Sequence, residues 1–291
     1  KFCYNYFLME LPTKKIADAF INFLKKKKRG KKNLTLAVVL IKPTAKQVYF
    51  VNLQKKLAKK IGLRLKVCHL SERIAFQKLI VYLKELSNNK QIKGVTIPFP
   101  LPARLMTESL FDYIPPEKEI EGHHRKSPFL PPIGLAILTI LKYVFINQKI
   151  NKKLFINLKV DAQIFKKAFH NKKVVLIGKG STAGKMISQT LTKAKINFLN
   201  IHSKTPNPEK YYKEADVIIS AVGKKVILPE YLRSNAVLIN VGLNFENKKI
   251  TGDYEIDEIK NLASYYTPIT NGVDLLNTLY LFKNLVDSST K

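Results

Sequence analysis

Val174-Val175-Leu176-Ile177-Gly178-Lys179-Gly180-Ser181-Thr182-Ala183-Gly184-Lys185 is the stretch on which the reading of this 291-residue chain turns. Four apolar residues, mostly β-branched, predict a buried strand; Gly178-x-Gly180 predicts a tight turn and Gly184 the start of a helix. Glycines in such a turn let backbone N–H groups approach a phosphate with no Cβ in the way, and the helix turns its positive dipole end toward the anion. The spacing Gly-x-Gly-x-x-x-Gly is one residue wider than the common dinucleotide fingerprint, and a turn of this kind alone also fits a plain strand-to-helix connection.

On both sides of this stretch, apolar runs alternate with helical patterns, the grammar of a parallel α/β sheet. Strands are predicted at 34–41, 63–70 and 94–97, with helices at 14–28, 45–61 (stopped by Gly62) and 74–86. Pro98-Phe99-Pro100-Leu101-Pro102 ends the third strand and fixes a rigid loop at its carboxyl end. In open α/β sheets that edge is where ligands bind. The second half predicts strands at 173–177, 196–201, 217–221 and 236–241, a short one near 263–266, and a last helix over 275–286. The Asn/Lys/Phe-rich stretch 142–171 reads as an inserted loop with one short helix and no assigned role.

Composition narrows the classes. A chain that is 46% hydrophobic supports two domains of ordinary size. Cys3 and Cys68 show neither metal-type spacing nor a disulfide framework, which fits a reducing compartment. No apolar run reaches the ~18 residues of a membrane-spanning helix. Residues 1–8 are too short and too aromatic for a signal peptide, and Met9 offers a start site with an upstream read-through before it. The net charge of +30 invites a nucleic-acid reading. Against it, the charge is almost all lysine, runs from end to end and accompanies no nucleic-acid module, whereas groove readers concentrate arginine on one element. The lysines read as a solvated surface that draws in anionic substrates, including phosphates and poly-glutamate tails. The run 25–32 reads as a helix end with cations at the negative pole of the dipole.

The ordered motifs resemble one family, the methylenetetrahydrofolate dehydrogenase/cyclohydrolases. Gly178-Lys179-Gly180-Ser181-Thr182-Ala183-Gly184 looks like the family's phosphate turn, and His202-Ser203-Lys204-Thr205 like its segment after the second strand. Ala215-Asp216 through Ala221-Val222-Gly223, then Ile239-Asn240-Val241-Gly242-Leu243-Asn244, Gly252-Asp253 and Tyr266-Thr267-Pro268 through Gly272-Val273 follow in family order. The resemblance implies two α/β domains around a cleft. Residues 1–135 plus 273–291 would form a folate-binding catalytic domain, and 136–272 a Rossmann-type NAD(P)-binding domain with the insertion at about 142–171. It further implies a cytoplasmic homodimer, joined through the nucleotide-binding domains, that acts on tetrahydrofolate derivatives. Gly178, Lys179, Gly180, Ser181, Gly184, Ser203, Lys204, Thr205, Gly223 and Leu243 fall at the cofactor-binding positions. An NAD reader usually ends its second strand with a carboxylate that binds the ribose 2′-hydroxyl. Here Ile201 is followed by His202, Ser203 and Lys204; nothing repels a 2′-phosphate and Lys179 and Lys204 could meet one, which favours NADP over NAD.

The folate half departs from the family pattern. The family's Tyr-x-x-x-Lys pair sits on one helical face. A gapless register puts Phe50 and Gln54 there; a shift by one gives Tyr49 followed by Leu53, so neither supplies the pair. Lys56 matches a second family lysine and reads equally well as an exposed helix residue. Pro98 replaces a family glutamine, leaving Pro98, Pro100 and Leu101 at the substrate loop; Glu121 keeps a carboxylate for the pterin's amino-pyrimidine edge, one methylene longer; and Asp274 begins a segment unlike the family's. His123-His124 reads as a pair of satisfied loop histidines rather than acid/base groups. The expected activity is NADP-dependent oxidation of 5,10-methylenetetrahydrofolate, with hydrolysis to 10-formyltetrahydrofolate weakened or lost. The alternative is a non-catalytic descendant that binds a dinucleotide or polyanion.

Overall fold

The computed structural model describes residues 9–31, 34–107, 109–180, 182–246 and 249–289. The chain divides into two compact units, one of residues 18–132 and 277–291, the other of residues 1–17 and 133–276. The expected residues 1–8 and Cys3 lie outside the described residues, as does Ser181.

In chain order the elements are β1 (Met9–Glu10), α1 (Thr13–Lys27), β2 (Thr35–Ile41), α2 (Ala45–Ile61), β3 (Arg64–Leu70), α3 (Phe76–Asn88), β4 (Ile92–Thr96), α4 (Pro132–Phe145), α5 (Leu158–Ala168), β5 (Val174–Ile177) and α6 (Gly184–Lys193). They continue with β6 (Leu199–Ile201), α7 (Glu209–Glu214), β7 (Val217–Ser220), β8 (Val237–Asn240), β9 (Asn244–Glu246), β10 (Lys249–Thr251), α8 (Ile256–Ile259), β11 (Tyr265–Tyr266) and α9 (Val273–Ser288).

The first unit is built on a parallel sheet of order β3-β2-β4. Its two crossovers step in opposite directions along the sheet, so right-handed connections place α2 and α3 on opposite faces. Ala37, Val39, Ile41, Val95 and Ile97 meet Leu79, Leu83 and Leu86 of α3, all buried. α2 is well bounded. Thr44 and Gln47 form a reciprocal capping box at its start, and Gly62 ends it in the left-handed conformation (φ 80°).

Three lysines of this unit have structural work. Lys28 donates to Gly62 O at the end of α2, Lys118 to Ser87 O and Asn89 O at the end of α3, and Lys31 to Val286 O in the last turns of α9. Each ammonium meets carbonyls left without helical partners, at the negative pole of a helix. The basic run after α1 thus serves the ends of other helices as well as its own.

The second unit carries a six-stranded, all-parallel sheet of order β1-β11-β8-β7-β5-β6. β5 is its first long-range anchor: β6 pairs on one side and β7 on the other, so the carboxyl edge between β5 and β7 is a topological switch point. The predicted strand over 196–201 is shorter than expected, because only 199–201 pair with β5. One further stretch differs from expectation. The 142–171 stretch is not mostly loop: its first residues close α4, and α5 runs eleven residues. Lys142, buried on α4, donates to Asp161 Oδ1 at 2.7 Å and to Lys153 O, while Asp161 Oδ2 accepts from Asn157 N at the start of α5. This enclosed ion pair fixes the segment against α4. Among the described residues, no helix is long and apolar enough to cross a membrane, and no cluster of His, Cys, Asp or Glu could hold a metal ion.

Candidate functional site

At the carboxyl edge of β5, the glycine turn is held backbone against backbone. Gly178 has φ 111° and donates to Ile201 O at 2.7 Å; a Cβ there would lie 2.9 Å from Ala221 O, after β7. A Cβ on Gly184 would lie 2.3 Å from Gly178 O, so the start of α6 closes directly onto the turn. Lys179 and Gly180 are exposed above it. The result is an open backbone cradle with a helix N-terminus behind it, the geometry that receives a phosphate. Gly184→Ala is expected to force the turn apart and weaken dinucleotide binding about tenfold or more, read by NADPH fluorescence titration. Unchanged affinity would remove the cradle as the phosphate site.

Next to the turn, at the end of β6, His202 and Thr205 close on each other. His202 N donates to Thr205 Oγ1 at 3.1 Å and Thr205 N to His202 O at 2.9 Å. Thr205 therefore shapes the turn, and Ser203 and Lys204 are left exposed at the strand end, with no Asp or Glu in the sequence from 202 to 208. Leu243 is buried, and its carbonyl backs Gly223.

Beneath these loops lies a network the sequence reading did not assign. Asp253 is fully buried and accepts from Ser220 Oγ at 2.6 Å, Val222 N at 3.1 Å, Gly223 N at 2.6 Å and Lys224 N at 3.1 Å. Its own N–H donates to Asn240 Oδ1 at 2.6 Å, and Asn240 N donates to Thr267 Oγ1 at 2.8 Å. Three consecutive N–H groups turned onto one carboxylate form an anion nest filled by the protein itself. The nest fixes the loop after β7 beside the glycine turn. The Gly252-Asp253 pair was a legible motif, but nothing in it announced these partners.

In the other unit, the equivalent switch point lies between β2 and β4. Gln47, on the first turn of α2, donates to Pro98 O at 2.8 Å and Pro100 O at 3.0 Å, and the Phe99–Pro100 peptide is cis. Gln47 was missed in the sequence, although Thr44-x-x-Gln47 carries a capping signature. Leu101 is buried in the core below the loop. On α2, Gln54 is buried with Oε1 unpartnered, Tyr49 and Phe50 are half-buried with rings 5.5 Å apart, and Lys56 is exposed. Glu121 lies two residues after Glu119, which bridges Val95 of β4: its Oε2 is enclosed with no hydrogen bond, and burial together with the charge of Glu119 pushes its pKa up to about 8. His123 stacks on Phe111 at 4.4 Å, and His124 Nδ1 accepts from Lys126 N, so both histidines are engaged in the loop as expected. Pro98, Pro100, Gln54 and Glu121 thus belong to one unit. Asp274 belongs to the other, where its Oδ2 accepts from Asn271 N at the start of α9.

Comparison with known proteins agrees with this geometry. Residues 11–121 match the model of the tetrahydrofolate dehydrogenase/cyclohydrolase catalytic domain, and residues 162–291 that of the tetrahydrofolate dehydrogenase/cyclohydrolase NAD(P)-binding domain. The bifunctional protein FolD of Staphylococcus epidermidis is 30% identical over 260 residues, covering 86% of this chain and 84% of that one. Among solved structures, the FolD methylenetetrahydrofolate dehydrogenase/cyclohydrolase of Campylobacter jejuni superposes with a TM-score of 0.82 at 24% identity, covering 97% of this chain and 98% of the other. That of Trypanosoma brucei, complexed with NADP cofactor and inhibitor, gives 0.80 at 20% identity, with coverage of 97% and 98%.

Proposed function

Since this chain belongs to the tetrahydrofolate dehydrogenase/cyclohydrolase family, we propose that it oxidises 5,10-methylenetetrahydrofolate with NADP, and that hydrolysis of the methenyl product is weakened or lost. The observation that carries the first half is the backbone cradle at the β5/β7 switch point, where a Cβ on Gly178 or Gly184 would meet backbone. Its exposed N–H-rich turn fits a dinucleotide's pyrophosphate, and exposed Lys179 and Lys204 favour a 2′-phosphate. When bound, the dinucleotide supplies the two-electron acceptor.

This chain's own residues position and exclude. The Asp253 nest holds the loop 221–224 rigid beside the glycine turn, and the Gln47–Pro98/Pro100 bonds hold the substrate loop at the end of β4. Dehydrogenation depends mainly on holding two rings face to face, so it asks for positioning more than for an acid/base group. Hydrolysis needs an activated water, and Gln54, a neutral amide, stands where the family resemblance places an amine. From the same resemblance we propose a cytoplasmic homodimer joined through the nucleotide-binding units. Purified protein with methylenetetrahydrofolate and NADP is expected to raise absorbance as NADPH forms. NADP binding with no such rise would favour the non-catalytic alternative.

A further inference from the structure

Two carboxyl side chains lie on the turn beside β4, close enough for the charge of Glu119 to act on Glu121, and the backbone serves them unequally. Glu119 is wrapped: Oε1 accepts from Glu121 N at 2.9 Å and Oε2 from His124 N at 3.0 Å, with the N–H groups of Gly122 and His123 also bearing on it. Glu121 draws on the Ile97 N–H, and its Oε2 is enclosed without a partner. Two shielded carboxyls this close do not both ionise near neutrality. The charge stays where the donors are, on Glu119, and the proton goes to Glu121. Burial raises both groups; at Glu119 the N–H donors oppose it, and at Glu121 the neighbouring charge adds to it.

The other ionisable groups around the turn are committed elsewhere. His123 stacks on Phe111, His124 Nε2 faces Asp112 Oδ1 at 3.7 Å, and the Lys118 ammonium is bound to Ser87 O and Asn89 O. The end of β4 offers the Ile97 N–H and Pro98, and α2 offers neutral Gln54, with Lys55 and Lys56 exposed.

We propose that Glu121 rests as a neutral carboxylic acid and gives up its proton when a heterocycle presenting two adjacent N–H donors binds, so that pterin recognition by this chain releases a proton. The inference rests on the folate reading above. A pterin's 2-amino group and ring N–H are both donors. A carboxylate accepts both, whereas a neutral acid sets its own O–H against one of them. Binding therefore breaks the Glu121 O–H bond, sends the proton to solvent and forms two N–H···O bonds. Below the ionisation of Glu121 at about 8, the competent fraction falls tenfold per pH unit and the apparent Kd rises by the same factor; above it the Kd is flat.

Calorimetric titration of the whole protein with 5-formyltetrahydrofolate tests this, run between about pH 6 and about pH 9 in buffers of different ionisation enthalpy. Expected are release of about one proton per ligand at the acid end, about tenfold weaker binding per unit of acidification, and no release at the alkaline end. Glu121→Gln should bind weakly with a pH-flat Kd and no proton release, and Glu121→Asp should restore the pH dependence. Tight binding by the parent with a pH-flat Kd and buffer-independent heat overturns the neutral Glu121 while NADPH formation still upholds the folate reading. No binding at any pH together with no NADPH formation overturns both.

Discussion

Asp253→Ala is expected to lower unfolding stability by about 3–5 kcal/mol and to weaken NADP binding with it. The carboxylate is fully buried, and four donors converge on it: Ser220 Oγ and the N–H groups of Val222, Gly223 and Lys224. Truncation leaves all four unpaired around a fully buried position, and each orphaned buried donor costs about 1–3 kcal/mol before relaxation. The loss stays below the simple sum because three of the donors belong to one loop, which can shift toward water. That shift is the functional consequence: Ala221 packs its carbonyl on Gly178, so a loosened 221–224 loop takes support from the glycine turn. Asp253→Asn keeps the shape but turns an NH2 toward donors, so an intermediate loss is expected. Urea midpoints and hydrogen exchange at 222–224 measure the two effects. A parent-like midpoint for Asp253→Ala would mean that the nest carries no energy.

How far the sequence reveals this architecture depends on whether a feature repeats. The strands over 35–41, 174–177, 217–220 and 237–240 are short apolar runs between turn signals, and the runs alone mark them. α2 announces both ends, with Thr44-x-x-Gln47 at one and Gly62 at the other. α4 was not assigned because it is apolar all round: Leu135, Ala136, Ile137, Leu138, Ile140 and Leu141 are all buried, so no amphipathic period distinguishes it from a strand. β1 is two residues long and exists only because 265–266, far along the chain, supply its partner. The antiparallel β9–β10 pair is similarly short and half-exposed, with no alternation to read.

The sites follow the same logic. The turn after β5 is written in three glycines, and at Gly178 and Gly184 steric necessity makes it legible. The Asp253 nest depends on a side chain meeting the backbone about thirty residues away, and Gln47 on reaching two prolyl carbonyls about fifty residues on. Such contacts have no period and appear only when the strand ends converge. Glu121 was legible as a carboxylate. Its neutrality was not, because that depends on how the turn shares its N–H groups between Glu119 and Glu121.

Gln54→Lys is expected to speed enzymatic hydrolysis of methenyltetrahydrofolate by about 10²–10⁴-fold over the parent, the contribution typical of a placed acid/base group. Gln47 and Gln54 are two helical turns apart, so they share a face of α2, the buried one. Gln47 holds the loop over 98–100 from that face, and Gln54 brings an amide oxygen with no hydrogen-bond partner to it. Lys55 and Lys56 are one and two residues on, turned by about 100° and about 200° around the helix, and both are exposed. Proximity in sequence therefore does not replace the missing amine. A lysine at position 54 would sit where burial lowers its pKa toward neutrality, which suits an ammonium that must exchange a proton with water. Oxidation of methylenetetrahydrofolate, which relies on ring placement, should change far less than hydrolysis in this variant. Gln54→Met, of similar length but without an amine, separates a gain from proton transfer from one due to repacking and should show no acceleration. Decay of the methenyl absorbance reports all three proteins. If the parent already hydrolyses methenyltetrahydrofolate as fast as Gln54→Lys, then water is activated by another group, and the neutral amide on α2 does not limit the reaction.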